Sequence, residues 1–178
     1  VRRTPKLPGS VATALWGGHL ISRAIRRHAI DAVMPRSIMP ALATLNSRGA
    51  SRVPILYDSD GLAIDERVEF AELSPRSMQY RAMCAVEADI VRKSRAVLVR
   101  TGLTADVLRA RAGTGEDKYF VVGNGRDAGI FHPFDPATRA AARAALGIPD
   151  GVPLLVYAGS IGPQYCLPDM LRLFALVL

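Results

Sequence analysis

The sequence is poor in the residues that build metal centres and disulfide frameworks. Two cysteines and three histidines serve 178 residues. Cys84 and Cys166 are far apart and lack metal-ligand spacing, so they read as two reduced core thiols of a cytoplasmic protein. His19, His28 and His132 form no pair at helical spacing, and no metal and no cofactor is expected. No apolar run approaches the ~18 residues that a membrane-spanning helix needs. Zinc-finger spacing and an RNP-type aromatic pair are missing, which argues against specific nucleic-acid recognition. Internal repeats, low-complexity tracts and a visible signal peptide are missing too. The chain opens on Val1 and stops at Leu178 inside an expected helix. It therefore reads as an internal piece of a longer protein, for which a missing leader means little.

Acidic residues are also scarce at one end. Residues 1–36 hold Arg2, Arg3, Lys6, Arg23, Arg26, Arg27 and Arg36 against Asp31 alone, a surplus of +6 within a net +7. A basic face of this kind suits lipid headgroups, a phosphate-bearing substrate or nucleic acid. A solvated helix face is the plainer alternative.

What is present is alternation. Ser10 to Ala29 predicts a helix capped by Ser10, with Gly17 and Gly18 weakening its middle. Ala32 to Met34 predicts a short strand and Ile38 to Ser47 a helix. Val53 to Tyr57 predicts a strand that ends in Asp58-Ser59-Asp60-Gly61. Residues 62–73 form a polar, acidic stretch, where Glu66 and Arg67 form at most a surface pair. Ser74 then caps a long helix running to about Lys93, with Pro75 at its first position. Met78 and Met83 are assigned to core packing. Ala96 to Val99 is a strand that ends at Arg100, Leu103 to Ala112 a helix ended by Gly113, and Tyr119 to Val122 a strand. Strict alternation with short connections predicts an α/β fold with a parallel sheet. In such a sheet ligands bind at the carboxyl ends of the strands, which directs attention to Arg36, Asp58 and Asp60.

Beyond Gly123-Asn124-Gly125 comes a helix from Pro136 to Leu146 closed by Gly147, then the run VPLLVYAGSIG. Leu154 to Tyr157 predicts a strand buried on both faces. The glycine turn Gly159 to Gly162 and the helix after it form the first half of a βαβ unit, a place where backbone N–H groups can meet a phosphate.

The run VVGNGRDAGIFHP, the helix marked by Arg139, Arg143, Leu146 and Gly147, and LLVYAGSIG resemble the retaining glycosyltransferases of family 4. Upstream, DAVMPRS, YDSDGLAIDERVEF and RKSRAVLVRT are similar to further segments of that family. The resemblance covers nearly the whole chain. It implies the GT-B architecture, two Rossmann-like domains facing a cleft. Residues 1–132 would be the acceptor-side domain and residues 133–178 the start of an incomplete nucleotide-sugar domain. It implies transfer of a sugar from a UDP- or GDP-linked donor to a hydroxyl of a glycan or lipid-linked acceptor, with retained configuration. Gly159, Ser160, Gly162, Asn124 and Gly125 would bind the donor. Arg36, Gly61 and Asp127 would lie on the acceptor side, and Asp58 and Asp60 would serve as catalytic carboxylates. Asn124, Gly125 and Asp127 would also shape the hinge.

Two departures stand out. Pro163, Gln164 and Tyr165 occupy the place where many members carry Arg or Lys for the diphosphate. Asp58 and Asp60 stand where many relatives have His. The family's paired glutamates are expected beyond Leu178, so this piece alone is expected to be inactive. Family members often work at a membrane face, and peripheral attachment to an anionic inner-membrane surface through the basic N-terminal helix is expected. The competing reading is a non-catalytic basic α/β module for anionic lipid or nucleic acid. A GT-B epimerase is a third, disfavoured by the hinge pattern.

Overall fold

The computed structural model describes residues 8–177. The chain forms two compact units, one ending at Asn124 and one beginning at Gly125. Arg2, Arg3 and Lys6 lie outside the described residues.

The first unit is α/β. Helix α1 spans Pro8–His28 and α2 spans Ile38–Leu45. Strand β1 (Leu56–Asp58) is followed by α3 (Ala63–Phe70) and α4 (Met78–Lys93). Strand β2 (Ala96–Val99), α5 (Gly102–Ala112) and β3 (Tyr119–Val121) complete it. The three strands form an open parallel sheet in the order β1-β2-β3. Leu56 pairs with Ala96 and Val97 with Tyr119, so the strand ends are in step. The predicted strand at Ala32 to Met34 is reduced to isolated parallel bridges, Val33 to Ile55 and Arg36 to Asp58. Pro35 lies between them, has no N–H to donate, and interrupts a continuous ladder.

Tyr57, Val97 and Val99 from the sheet pack with Ile90 and Val91 of α4 and Leu108 of α5 in one buried cluster. Val97 and Val99 are buried while Ala96 and Leu98 are half-buried, the period-two signature of a strand with helices over it. Among the described residues no helix is long and apolar enough to cross a membrane.

Several local expectations need correction. Helix α1 begins at Pro8, so Ser10 lies inside its first turn. The acidic stretch contains α3, with Asp65 and Glu66 in its first turn, where a helix dipole favours negative charge. Helix α4 is capped by Ser77, whose hydroxyl accepts from the Tyr80 N–H at 3.1 Å. Ser74 instead closes the preceding turn, accepting the Ser77 N–H at its carbonyl. Met78 is 78% exposed and Cys166 is exposed, so neither belongs to a core.

Gly17 and Gly18 have a packing role. A Cβ on Gly18 would lie 2.9 Å from the Ala43 carbonyl oxygen and from Asn46 backbone atoms. Helices α1 and α2 are therefore in backbone contact there. Ser22, buried at the same seam, joins Ser47 by a 2.8 Å hydrogen bond and accepts the Gly49 N–H.

The second unit holds α6 (Pro136–Ala145) and α7 (Leu167–Val177). Asp135 caps α6, accepting the N–H groups of Ala137 and Thr138, and Gly147 (φ +66°) ends it in the left-handed conformation. Residues 152–157 do not form the expected strand. Leu155 is 60% and Val156 72% exposed. A strand exists only through pairing, and among the described residues none is paired with this run.

Gly18→Ala places a methyl group against rigid backbone. It is expected to lower stability by ~1–3 kcal/mol through overpacking, although alanine favours an isolated helix by about 1 kcal/mol. Urea denaturation of the variant gives the sign directly.

Candidate functional site

The carboxyl ends of the parallel strands bring four charged side chains together. Arg36 follows the bridged edge segment, Asp58 ends β1, Asp60 sits in the next turn and Arg100 follows β2. Arg36 Nη2 lies 2.5 Å from Asp60 Oδ1 and its Nε 3.8 Å from Asp58 Oδ2. Arg100 Nη2 lies 3.2 Å from Asp60 Oδ1 and 3.7 Å from Asp58 Oδ1. Arg100 also donates to the Val122 carbonyl at 3.0 Å, tying the end of β3 to the same cluster.

The backbone that presents these groups is unusual. Ser37 (φ 64°) and Asp60 (φ 53°) adopt left-handed conformations, and Gly61 (φ 133°) a conformation open to glycine almost alone. Such geometry persists only where surroundings hold it. Here Asp58 Oδ1 accepts the Asp60 N–H at 3.2 Å and the Ser59 hydroxyl donates to the Gly61 carbonyl at 2.8 Å. The Ser59 N–H donates to Leu98, which fastens the turn to β2.

Asp58 is nearly buried, whereas Asp60 and Arg36 reach solvent. The hydrogen bond from Arg36 chiefly holds the Asp60 carboxyl below its ordinary range, with Arg100 adding to the effect and partial burial opposing it. Asp60 raises the Arg36 guanidinium in turn. The result is a charge-balanced pair of arginines and carboxylates with hydrogen-bonding capacity facing outward. It is suited to gripping hydroxyl groups and poorly suited to taking a proton near neutral pH, where a general base needs a pKa close to the working pH.

A second ionic group supports the first. Glu87, buried in the middle of α4, pairs with Arg111 of α5. Arg111 also grips Asp65 of α3 through both carboxylate oxygens, at 2.9 and 3.0 Å. Burial raises the Glu87 carboxyl despite the arginine. For Arg111 burial works downward, but Glu87 and Asp65 outweigh it and the guanidinium is raised. The trio clamps α3, which directly follows the Asp58–Gly61 turn, onto α4 and α5. The sequence reading did not single it out. A signal existed: Glu87 lies four residues after Met83 and three before Ile90, on the inward stripe of α4.

An apolar groove of about 620 Å³ lies beside the cluster. Ser37, Met39, Leu42, Ala63, Met78 and Met83 are among its lining residues.

The expected site residues thus divide. Arg36, Asp58, Asp60 and Gly61 come together in the first unit, and Asn124 is its last residue. Gly125, Asp127, Gly159, Ser160 and Gly162 belong to the second. There Asp127 closes a local turn, its carboxylate accepting the Gly129 N–H at 2.8 Å and its carbonyl accepting from Ile130 and Phe131. The Tyr157 hydroxyl donates to the Ser160 carbonyl at 2.7 Å and lies over Gly159. A short 3-10 turn, Pro163–Tyr165, separates Gly162 from α7, so the glycine turn does not run directly into a helix N-terminus.

Neither the protein-family models nor the curated proteins yield a match to this sequence.

Arg36→Gln is expected to move the Asp60 titration upward, toward the model-compound value of 3.8. A depressed carboxylate contributes stability above its unfolded pKa and loses it as pH falls through its folded pKa. The variant therefore loses part of this acid-limb dependence, and side-chain carboxyl NMR titration reads the shift. Arg111→Met leaves Glu87 buried and unpaired, at a cost of ~3–5 kcal/mol. A carboxyl raised in the folded state contributes below its unfolded pKa and loses that contribution as pH rises. Without Arg111 the Glu87 carboxyl rises further than it does in the wild type, so the Arg111→Met deficit, measured by urea denaturation, should grow as pH rises past the wild-type Glu87 titration, itself above the ordinary Glu range.

Proposed function

We propose that this chain takes part in transferring a sugar from a UDP- or GDP-linked donor to a hydroxyl of a glycan or lipid-linked acceptor, with retention of configuration. Residues 1–132 form the acceptor side of a Rossmann-like, GT-B-type architecture, and residues 133–178 open the donor side. The observation that carries this reading is the cluster of Arg36, Asp58, Asp60 and Arg100 at the carboxyl ends of a parallel sheet. Open α/β sheets bind their ligands there. The hinge pattern through Asn124, Gly125 and Asp127 supports the same reading.

Asp60 accepts a hydrogen bond from the acceptor hydroxyl, and Arg36 donates to a neighbouring hydroxyl oxygen. Vicinal diols fit this pairing of donor and acceptor. Because the arginines keep Asp60 a weak base, its work is orientation: it holds the nucleophilic oxygen on the face of the sugar that the diphosphate leaves, as retention requires, and the hydroxyl proton passes to the departing diphosphate. Asp58, nearly buried, positions Asp60 through its backbone N–H. On the donor side, backbone N–H groups around Gly159, Ser160 and Gly162 stabilise negative charge that develops on the departing diphosphate. Asn124 and Gly125 form the hinge between the two sides. On this reading the reaction runs on the cytoplasmic side of the membrane.

Titration of the chain with glycans and polyols bearing vicinal diols, followed by amide NMR, tests the acceptor site. Arg36, Asp60 and Gly61 are expected to shift, and Asp60→Asn to weaken binding about tenfold, the loss of one hydrogen bond to a charged acceptor. Shifts that avoid these residues, or an unchanged affinity in Asp60→Asn, would leave the cluster as a surface ion network and overturn the reading.

A further inference from the structure

Three helices leave an apolar groove that neither ionic group uses. Helices α2 and α3 both pack on α4, and all three line the groove of about 620 Å³. From α4 come Met78, Ala82 and Val86, at intervals of four, which keeps them on one stripe of the helix. Helix α2 adds Met39 and Leu42. Met78 is 78% and Met39 42% exposed, so the lining is apolar surface left in water. Val86 packs against the buried core at the far end of the stripe.

One cation belongs to this groove. Arg67 of α3 lines it together with Gln79, and the same two residues line a smaller hollow of about 260 Å³, so they stand where the groove ends. Glu66 does not pair with Arg67, and among the described residues the Arg67 side chain enters no ion pair. Among the described residues no carboxylate lines the groove.

We propose that the groove binds an amphiphile with a single anionic head, a medium-chain carboxylate, whose alkyl chain lies along α4 and whose head meets Arg67. The guanidinium fork matches a carboxylate with two parallel hydrogen bonds, and the Gln79 amide offers a further donor. From Met78 to Val86 the stripe runs about 12 Å, room for an extended alkyl chain of medium length. A helix with its side chains is about 10 Å across, too thick to lie in the groove. Methionine is unbranched and flexible, so it closes around a chain that has no fixed shape of its own. A sugar would leave its hydroxyls unsatisfied against such a lining. The inference is independent of sugar transfer: the ligand carries no hydroxyl to accept a sugar, and Arg36, Asp58 and Asp60 do not line the groove.

The methionines report on this site. Met39, Met78 and Met83 line the groove, whereas Met34 and Met170 do not. The full chain, with isotope-labelled methionine methyl groups, is titrated with octanoate, decanoate and dodecanoate below their micelle concentrations, and with decanol. The three groove methyls are expected to shift while Met34 and Met170 stay. Affinity should rise about tenfold for each two methylenes added, and decanoate should bind about tenfold more tightly than decanol. Arg67→Gln should remove that preference and leave decanol binding unchanged. Ala82→Phe, at an exposed position of the stripe, should fill the groove and abolish binding with the far-UV circular dichroism unchanged. The proposal is overturned by an absence of shifts, by shifts spread over all five methionines, or by an affinity that ignores chain length. Equal binding of decanol, or a preference for decanoate that survives Arg67→Gln, overturns it as well.

Discussion

A carboxylate taken out of water needs a cation, and Glu87 makes the placement of three helices depend on that need. Its partner Arg111 comes from α5, and Arg111 has enough donors to hold Asp65 of α3 at the same time. Helix α3 is short, eight residues, and contributes only Ile64 as a fully buried side chain. Isolated helices of that length do not persist in water. Its position therefore rests on the ionic clamp and on a small apolar contact. The turn from Asp58 to Gly61 feeds directly into α3, so the clamp reaches the strand-end cluster through the chain itself.

The two ionic groups differ in what they can do. Glu87 is sealed and serves position only. Asp60 is open to solvent, and its partners Arg36 and Arg100 come from different segments. Opposite charges already balanced in the free protein lose less on meeting a neutral hydroxyl than on meeting another ion. A diol can exchange hydrogen bonds with such a cluster without a change in net charge, whereas a phosphate would have to compete with two carboxylates for the same guanidinium groups. The electrostatics of the cluster therefore suit the polyhydroxyl ligand of the proposed function better than an anion.

Much of this was legible in the residues. Ala96–Val99 is a strand as the apolar run predicts, and Gly113 ends α5 in the left-handed conformation that glycine favours. Pro136 opens α6 as expected, and Asp135 before it supplies the cap. The failures share a cause, which is competition between similar signals. Ser74 with Pro75 looks like a better helix start than Ser77, yet the proline belongs to a turn and the later serine supplies the cap. The acidic composition of residues 62–73 concealed the i, i+4 pair of Ile64 and Val68 that α3 uses. The apolar run predicts a strand at Ala32 to Met34, but only isolated bridges at Val33 and Arg36 form, because periodicity cannot reveal where a ladder loses its partner. Leu154 to Tyr157 failed similarly: an apolar run carries strand propensity, but pairing comes from another segment. Arg36, Asp58 and Asp60 were found by position at strand ends. Their mutual neutralisation was not, since it depends on the left-handed turn that brings Asp60 back toward Arg36.

Helix α1 shows how a local cost can set an orientation. Two consecutive glycines disfavour a helix by roughly 2 kcal/mol relative to alanine. In return they let the α2 backbone approach to contact, and Ser22 fastens the same seam through Ser47 and Gly49. A larger residue at position 18 would push the helices apart and leave α1 free to choose which face it buries. With glycine there, the small residues face inward, and Trp16, Leu20 and the arginines have only the outside left. Apolar driving force alone would have turned Trp16 toward the core, so its exposure follows from the close approach that the glycines permit.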